Sequence, residues 1–291
     1  MRKFRFLVPF LTAAMLAGLA QTAAAGGTST GHIVIKDPAE YKAYVAAANL
    51  TDPVQQAAAI ETFVLTYPYS VVASDALEQA MADYQEAGNT SQVENTALRL
   101  IALKPDNVRA YAILTSLERT AATDGDAKAM AAMRGHAEQG LRHLAAWPKP
   151  DGLSDADYAK LRSQMTKIFN GAVGFADYSG KDYFGARDAY LKAVAVDSSN
   201  LQNVYQLGLC EVQMMPLDAN GFWYLAKAIA LAAAQNNLAT QQSIAKFAKA
   251  KYTRYHGSEA GWDAIVAAAS AQSGPPDGFA MSIVPALAPE K

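Results

Sequence analysis

The sequence predicts an all-α protein, a helical-repeat solenoid of antiparallel helix pairs. Three observations carry that expectation. Apolar residues recur at three- and four-residue intervals along most of the chain. No stretch alternates with period two between hairpin signals, and prolines and glycines fall mainly between the periodic segments. Alanine runs at Ala46-Ala47-Ala48, Ala57-Ala58-Ala59 and Ala267-Ala268-Ala269 favour helix and let helices approach closely.

Taken in order, Asp37 before Pro38 starts a helix over 38–49, and Asp52 before Pro53 starts one over 52–66. Leu77, Met81 and Tyr84 mark the apolar stripe of 70–87, and Val93, Ala97, Leu100 and Ile101 that of 90–103. Tyr111 and Leu114 belong to 107–121, and Ala137, Leu141 and Leu144 to 126–146, with an expected insertion around Thr120–Asp126. Ser154, with Asp157 three residues on, opens 154–178, where Asp155 and Asp157 also suit the positive end of the helix dipole. Ala186, Tyr190 and Ala193 stripe 182–196, and the run Val204–Met214 covers most of 200–213. Asp218-Ala219-Asn220-Gly221 opens like a calcium loop, but lacks a preceding acidic ligand and the closing glutamate. It reads as a turn before the helix 219–233. The last helices are 237–254, with a basic face of Lys246, Lys249, Lys251 and Arg254, and 258–271.

The ends differ from the body. Arg2, Lys3 and Arg5 precede an apolar stretch, Phe6–Leu19, and small residues then lead to Ala23-Ala24-Ala25. This is the pattern of a secretory signal peptide over 1–25, with a flexible linker over 26–37. The apolar run is short of the roughly 20 residues that a membrane span needs. The expected location is therefore periplasmic or secreted, with no membrane span after cleavage. Ser273–Lys291 contains Pro275-Pro276, Gly278, Pro285 and Pro289, and a Pro-rich disordered tail is expected over 272–291. Within it, the apolar segment Phe279–Val284 has the composition to lie in a groove.

Composition limits the function classes. Hydrophobic residues make up 51% of the 291, enough for a packed core. Loss of the three basic residues of the leader takes the net charge from −2 to −5, a poor balance for holding nucleic acid. Cys210 is the only cysteine, so an intramolecular disulfide is ruled out and a buried apolar role is expected. His136 and His143 lie seven apart on one face, with no cysteine or suitably spaced carboxylate beside them. They read as solvent-facing or capping residues, and no metal or cofactor is expected. The phosphate-loop, dinucleotide and nucleophile-elbow patterns are absent.

Val173-Gly174 and Leu207-Gly208 stand 34 residues apart. The stretch KDYFGARDAYLKAVAVDSSN at 181–200 resembles the second half of a tetratricopeptide (TPR) repeat, and NVYQLGLCEVQ at 203–213 resembles the first half of another. The resemblance gives Gly174, Ala186 and Ala193 the close-packing roles of the family, with Ser198 where the family usually has proline. A weaker copy ends in LKPDN at 103–107, and an earlier half-repeat ends at Tyr67-Pro68. WPKP at 147–150 and YHGS at 255–258, with Gly261-Trp262 after it, are similar to landmarks of exported TPR-containing bacterial proteins of acidobacterial type. That second resemblance brings no activity with it.

The TPR resemblance implies a concave surface lined by the first helix of each pair. Its period selects Asp75, Glu78 and Gln79, then Arg109 and Ile113, then Phe175 and Tyr178, then Gln202, Tyr205 and Gln206 as partner-binding candidates. The lining lacks the regular lysines and asparagines with which some members clamp a peptide carboxylate. The aromatics Phe222, Trp223, Tyr224, Phe247, Tyr252, Tyr255 and Trp262 are either core or a second partner site. The expected role is a non-catalytic scaffold or adaptor for a protein or peptide. The alternatives are a self-associating envelope component and an enzyme with a site near His256 and Trp262.

Overall fold

The computed structural model describes residues 34–150 and 152–286, and every regular element among them is a helix. The helices are α1 Pro38–Ala48, α2 Pro53–Thr66, α3 Ala73–Glu86, α4 Thr90–Leu103, α5 Val108–Thr123, α6 Ala127–Ala145, α7 Asp155–Ser179, α8 Tyr183–Val196, α9 Leu201–Glu211, α10 Asn220–Ala234, α11 Leu238–His256, α12 Trp262–Ala271 and α13 Phe279–Ser282. The expected all-α class therefore holds, and the ends of the first twelve helices agree with the sequence reading to within four residues. The signal peptide and most of the linker lie outside the described residues.

The described residues form two compact units that divide between Met165 and Thr166. The boundary falls inside α7. In the first unit Tyr158 donates a hydrogen bond to the Trp147 carbonyl, which ties the start of α7 to the end of the preceding helix. In the second, Gly174 sits so close to Tyr190 that a Cβ would lie 2.9 Å from the ring.

Two kinds of turn join the helices. After α3, α5, α7 and α10 a residue adopts positive φ: Gly88 at 70°, Gly125 at 97°, Lys181 at 66° and Asn236 at 55°. The next residue then closes one helix and opens the next. Asn89, Asp126, Asp182 and Asn237 donate their N–H to carbonyls five residues back, at 2.9, 3.1, 2.9 and 2.9 Å. Their side chains accept from the first turn of the following helix. After α2, α4 and α8 the turn differs. Tyr67, Lys104 and Asp197 donate to the carbonyls of Phe63, Leu100 and Ala193, and Asn107 and Asn200 then cap α5 and α9. Pro68, Pro105 and Ser198 hold the same place in this second turn.

From α2 to α6 the two turns alternate, and the caps Asp52, Asn89 and Asp126 stand 37 residues apart. The expected insertion at Thr120–Asp126 is therefore corrected: α5 continues to Thr123 and Asp126 keeps the period. Consecutive helices from α1 to α6 and from α8 to α11 pack on each other, and α12 packs on α10. Glu61 of α2 accepts from Thr96 of α4 at 2.8 Å and pairs with Arg99 at 3.3 Å. Glu78 of α3 accepts from Asn107, which caps α5, and lies 3.7 Å from Arg109. In the second unit a Cβ on Gly171 of α7 would lie 2.7 Å from Asn203 Oδ1 of α9.

The alternation fails between α9 and α10. Neither turn is present there; Val212–Ala219 wraps back with Asp218 N–H on the Glu211 carbonyl at 3.1 Å. The two helices are held by glycine instead. A Cβ on Gly208 would meet Leu225 N at 2.9 Å and Gly221 O at 3.0 Å, and one on Gly221 would meet Gly208 O at 2.9 Å. α10 is apolar on nearly every face, and Phe222, Trp223, Leu225, Ala226, Ala228 and Ala232 are all buried. Such a helix has to be enclosed, and α9, α11 and α12 all pack on it.

The segment after α12 departs from the expected disorder as far as Ala286. Phe279 and Ile283 are buried, and Phe279 meets the Trp223 ring edge-on at 5.2 Å between centroids. Ala286 N–H donates to the Tyr255 carbonyl at 2.7 Å, and His256 Nδ1 donates to the Val284 carbonyl at 2.9 Å. The Pro and Gly content that predicts disorder flanks an apolar run with enough surface to dock.

Candidate functional site

In the first unit, α3 and α5 bring part of the predicted row together. Glu78 is held by Asn107 and Arg109, as described above. Gln79 Nε2 donates to Asp83 Oδ1 at 2.6 Å, and Asp75 is exposed, bonded to Ser74. Ile113 is corrected: at 1% exposure it is core, because five consecutive residues of α5, Ala110–Leu114, are enclosed by the helices on either side. Burial pushes the Asp83 carboxyl up to about 6, with Glu86 adding to the effect and the Gln79 hydrogen bond opposing it. The polar groups in this row largely satisfy one another.

The histidines also differ from expectation. His136 Nδ1 lies 3.0 Å from Glu118 Oε2, and its side chain is only 20% exposed, so it does not face solvent. Tyr111 lies against both histidines, stacked on His143 at 5.8 Å and tilted to His136 at 6.1 Å. The seven-residue spacing thus serves one tyrosine.

In the second unit, α7 and α9 carry the rest of the predicted row. Phe175, Tyr178, Gln202 and Gln206 are half-buried, whereas Tyr205 is 8% exposed and belongs to the core. Tyr178 packs edge-on against Tyr183 at 5.6 Å, and burial pushes its hydroxyl up to about 12, with Cys210, Tyr183 and Tyr205 adding to the shift. Gln206 Oε1 is buried without a hydrogen-bond partner. An acceptor left unmet in a protein interior carries a desolvation cost of about 1–3 kcal/mol. Beside two half-buried aromatics, it is the feature of this row that a ligand N–H would relieve.

One group escaped the sequence reading. Glu211, at the end of α9, is 2% exposed, and its Oε2 has no hydrogen-bond partner. Burial pushes its carboxyl up to about 9, with the neighbouring Asp218 adding to the rise and Arg187 opposing it. Arg187 Nη1 lies 4.0 Å from Asp218 Oδ2. The sequence carried a signal: Glu211 is the only charged residue between Asp197 and Asp218. With its carboxyl held in the protonated form at neutral pH, Glu211 closes the Val212–Ala219 loop through its main-chain carbonyl, which accepts from Asp218 N–H. Cys210 beside it is fully buried, its thiol pushed up to about 12 mainly by burial.

The C-terminal aromatics are chiefly core. Phe222, Trp223, Tyr224, Tyr252 and Trp262 are buried, and Tyr252 Oη donates to the Ala260 carbonyl at 2.7 Å. Among the described residues no three His, Cys, Asp or Glu side chains stand together as metal ligands, and no helix is long and apolar enough to cross a membrane. Comparison with protein-family models, curated proteins and solved structures finds no match to this chain.

Proposed function

We propose that this chain is an exported TPR-type scaffold that binds an extended peptide of a partner protein along the α7–α9 row. The role is binding rather than catalysis. The observation that carries the reading is Gln206 Oε1, a buried unmet acceptor on a row that also presents Phe175, Tyr178 and Gln202. A peptide backbone N–H supplies the missing donor, and the aromatic faces supply apolar contact with little entropy to lose.

The repeat reading has its own support. Gly174 and Gly208, 34 residues apart, each leave no room for a Cβ against the following helix, and Ala186 and Ala193 are fully buried. With one residue inserted in the turn, Gly221 and Ala228 take the corresponding places on α10. Small residues at helix crossings are what TPR stacking requires. The signal-peptide pattern of residues 1–25 supports export.

The test is a crosslinking pull-down from envelope extract with chain 26–291 and two variants. Gln202→Ala/Gln206→Ala is expected to lose one dominant partner at least tenfold while keeping its helicity by circular dichroism. Asp75→Ala, on the first unit, is expected to capture it normally. Equal capture by the α9 variant and loss by the α3 variant would move the site to the first unit. No saturable partner with any bait would overturn the scaffold reading.

A further inference from the structure

The contact between the 277–286 segment and the helices beneath it has the anatomy of a bound peptide. Phe279 inserts against Trp223, Ile283 is buried one helical turn later, and the segment's own main chain is held twice, its Val284 carbonyl by the His256 ring and its Ala286 N–H by the Tyr255 carbonyl. Side-chain anchors give such a contact its selectivity, and main-chain bonds give it a fixed register. The surface underneath is rigid: Trp223 belongs to the enclosed helix α10, and Tyr252, Tyr255 and His256 share the last turns of α11. Gly257, at φ 86°, closes α11 and lets Ala286 approach; a Cβ there would lie 3.0 Å from the Ala286 Cβ.

One group is not served by this arrangement. Trp223 is 1% exposed, and its Nε1–H, a donor that buried tryptophans usually satisfy, has no hydrogen-bond partner. The segment therefore covers the indole without meeting its polar atom. We infer that the Trp223–Tyr255–His256 surface is a second peptide-docking site, held closed by residues 277–286. Its occupant in the open state is a partner peptide with an aromatic residue, an aliphatic four positions later, and a hydrogen-bond acceptor for Trp223 Nε1. The unmet donor decides between the possible occupants. A second copy of this chain would offer the same segment with the same deficiency, and would gain nothing over the contact already made. A foreign segment that adds an acceptor gains a hydrogen bond and displaces the resident one. This site stands apart from the α7–α9 row and does not depend on it.

The experiment uses the full chain with a protease site inserted between Gly274 and Pro275, cleaved under native conditions. The probe is a fluorescent peptide of sequence 277–286. After cleavage the resident segment is expected to exchange for the probe, and the uncut chain to bind it at least tenfold more weakly. A probe carrying Phe279→Ala should bind at least tenfold more weakly than the parent. In a set with Asn, Gln, Asp or His at each position from 278 to 282, at least one probe should bind more tightly than the parent sequence. The uncut variant Phe279→Ala/Ile283→Ala, if it keeps its helicity, should bind the parent probe as the cleaved chain does. A cut segment that stays bound until the protein unfolds in denaturant would make 277–286 ordinary core and overturn the inference. So would a substituted set in which no peptide outbinds the parent, or a cleaved chain that accepts the Phe279→Ala probe equally well. Doubling of the uncut chain's mass in light scattering, suppressed by excess parent peptide, would make the occupant a second copy and overturn the assignment to a partner. None of these readouts uses the partner sought by pull-down, so either proposal can fail alone.

Discussion

In the first unit, Asp52, Asn89 and Asp126 cap successive helices at a spacing of 37 residues, and each change of direction is closed by hydrogen bonds local to the turn. In the second, the same turn follows α7 and α10, but the joint between α9 and α10 is made by Gly208 and Gly221 in backbone contact. The difference shows two ways of stacking helices. A capped turn sets geometry locally and leaves the crossing free to accept ordinary side chains. A glycine crossing sets geometry through contact, releases the turn from regularity, and here buries Glu211 at its edge.

The largest expected effect separates the units by pH. Glu211 holds its proton in the folded state up to about 9, whereas the unfolded chain releases it near the ordinary value of 4.5. The folded state therefore binds more protons between those values, and stability falls as pH rises through that window, by a few kcal/mol in order of magnitude. Asp83 acts in the same direction in the first unit, but only from 3.8 to about 6. With fluorotryptophan as a nuclear magnetic resonance probe, Trp147 reports on the first unit, and Trp223 and Trp262 on the second. Between pH 6.5 and 9 the urea midpoint of the second unit should fall while that of the first stays level, and Glu211→Gln should flatten the second. Identical pH slopes for both units, unchanged by Glu211→Gln, would sink the assignment.

A smaller effect compares glycines. Gly208→Ala places a methyl against backbone atoms that cannot rotate away, and should cost the second unit about 2 kcal/mol. Gly88→Ala meets nothing within 4 Å and should cost the first unit about 1 kcal/mol through its positive φ alone. Equal losses in chemical denaturation would mean the glycine crossing holds nothing. The smallest effect is Asn89→Asp, expected to change stability by only a few tenths of a kcal/mol, since Asp and Asn serve as equivalent caps. A loss above about 1 kcal/mol would show that Asn89 has a role beyond the cap.

Most helices were legible in the sequence because they carry two independent signals, an apolar period and a capping residue; α3, α10 and α12, which start at Val72, Ala219 and Gly261 without a capping side chain, rest on the apolar period alone. Faces were less legible. Ile113 and Tyr205 were assigned to a groove by their spacing, but spacing does not say how many neighbours enclose a helix. Glu211 was readable in principle, as the single charge in a long uncharged stretch. The docking of 277–286 was partly legible: the prolines and glycines of Ser273–Lys291 point to disorder, while the apolar run Phe279–Val284 points to a groove, and Phe279 and Ile283 make the contacts.

The burial of Cys210 gives the molecule a built-in clock. Its sulfur is buried on α9 near Asp177 and Tyr178 of α7, and no second thiol competes for reagent. Alkylation of the native protein can then proceed only during excursions that part those helices, at a speed set by how often they occur. Every modified molecule counts one excursion of the second unit, while the first, free of cysteine, goes through its own excursions unrecorded.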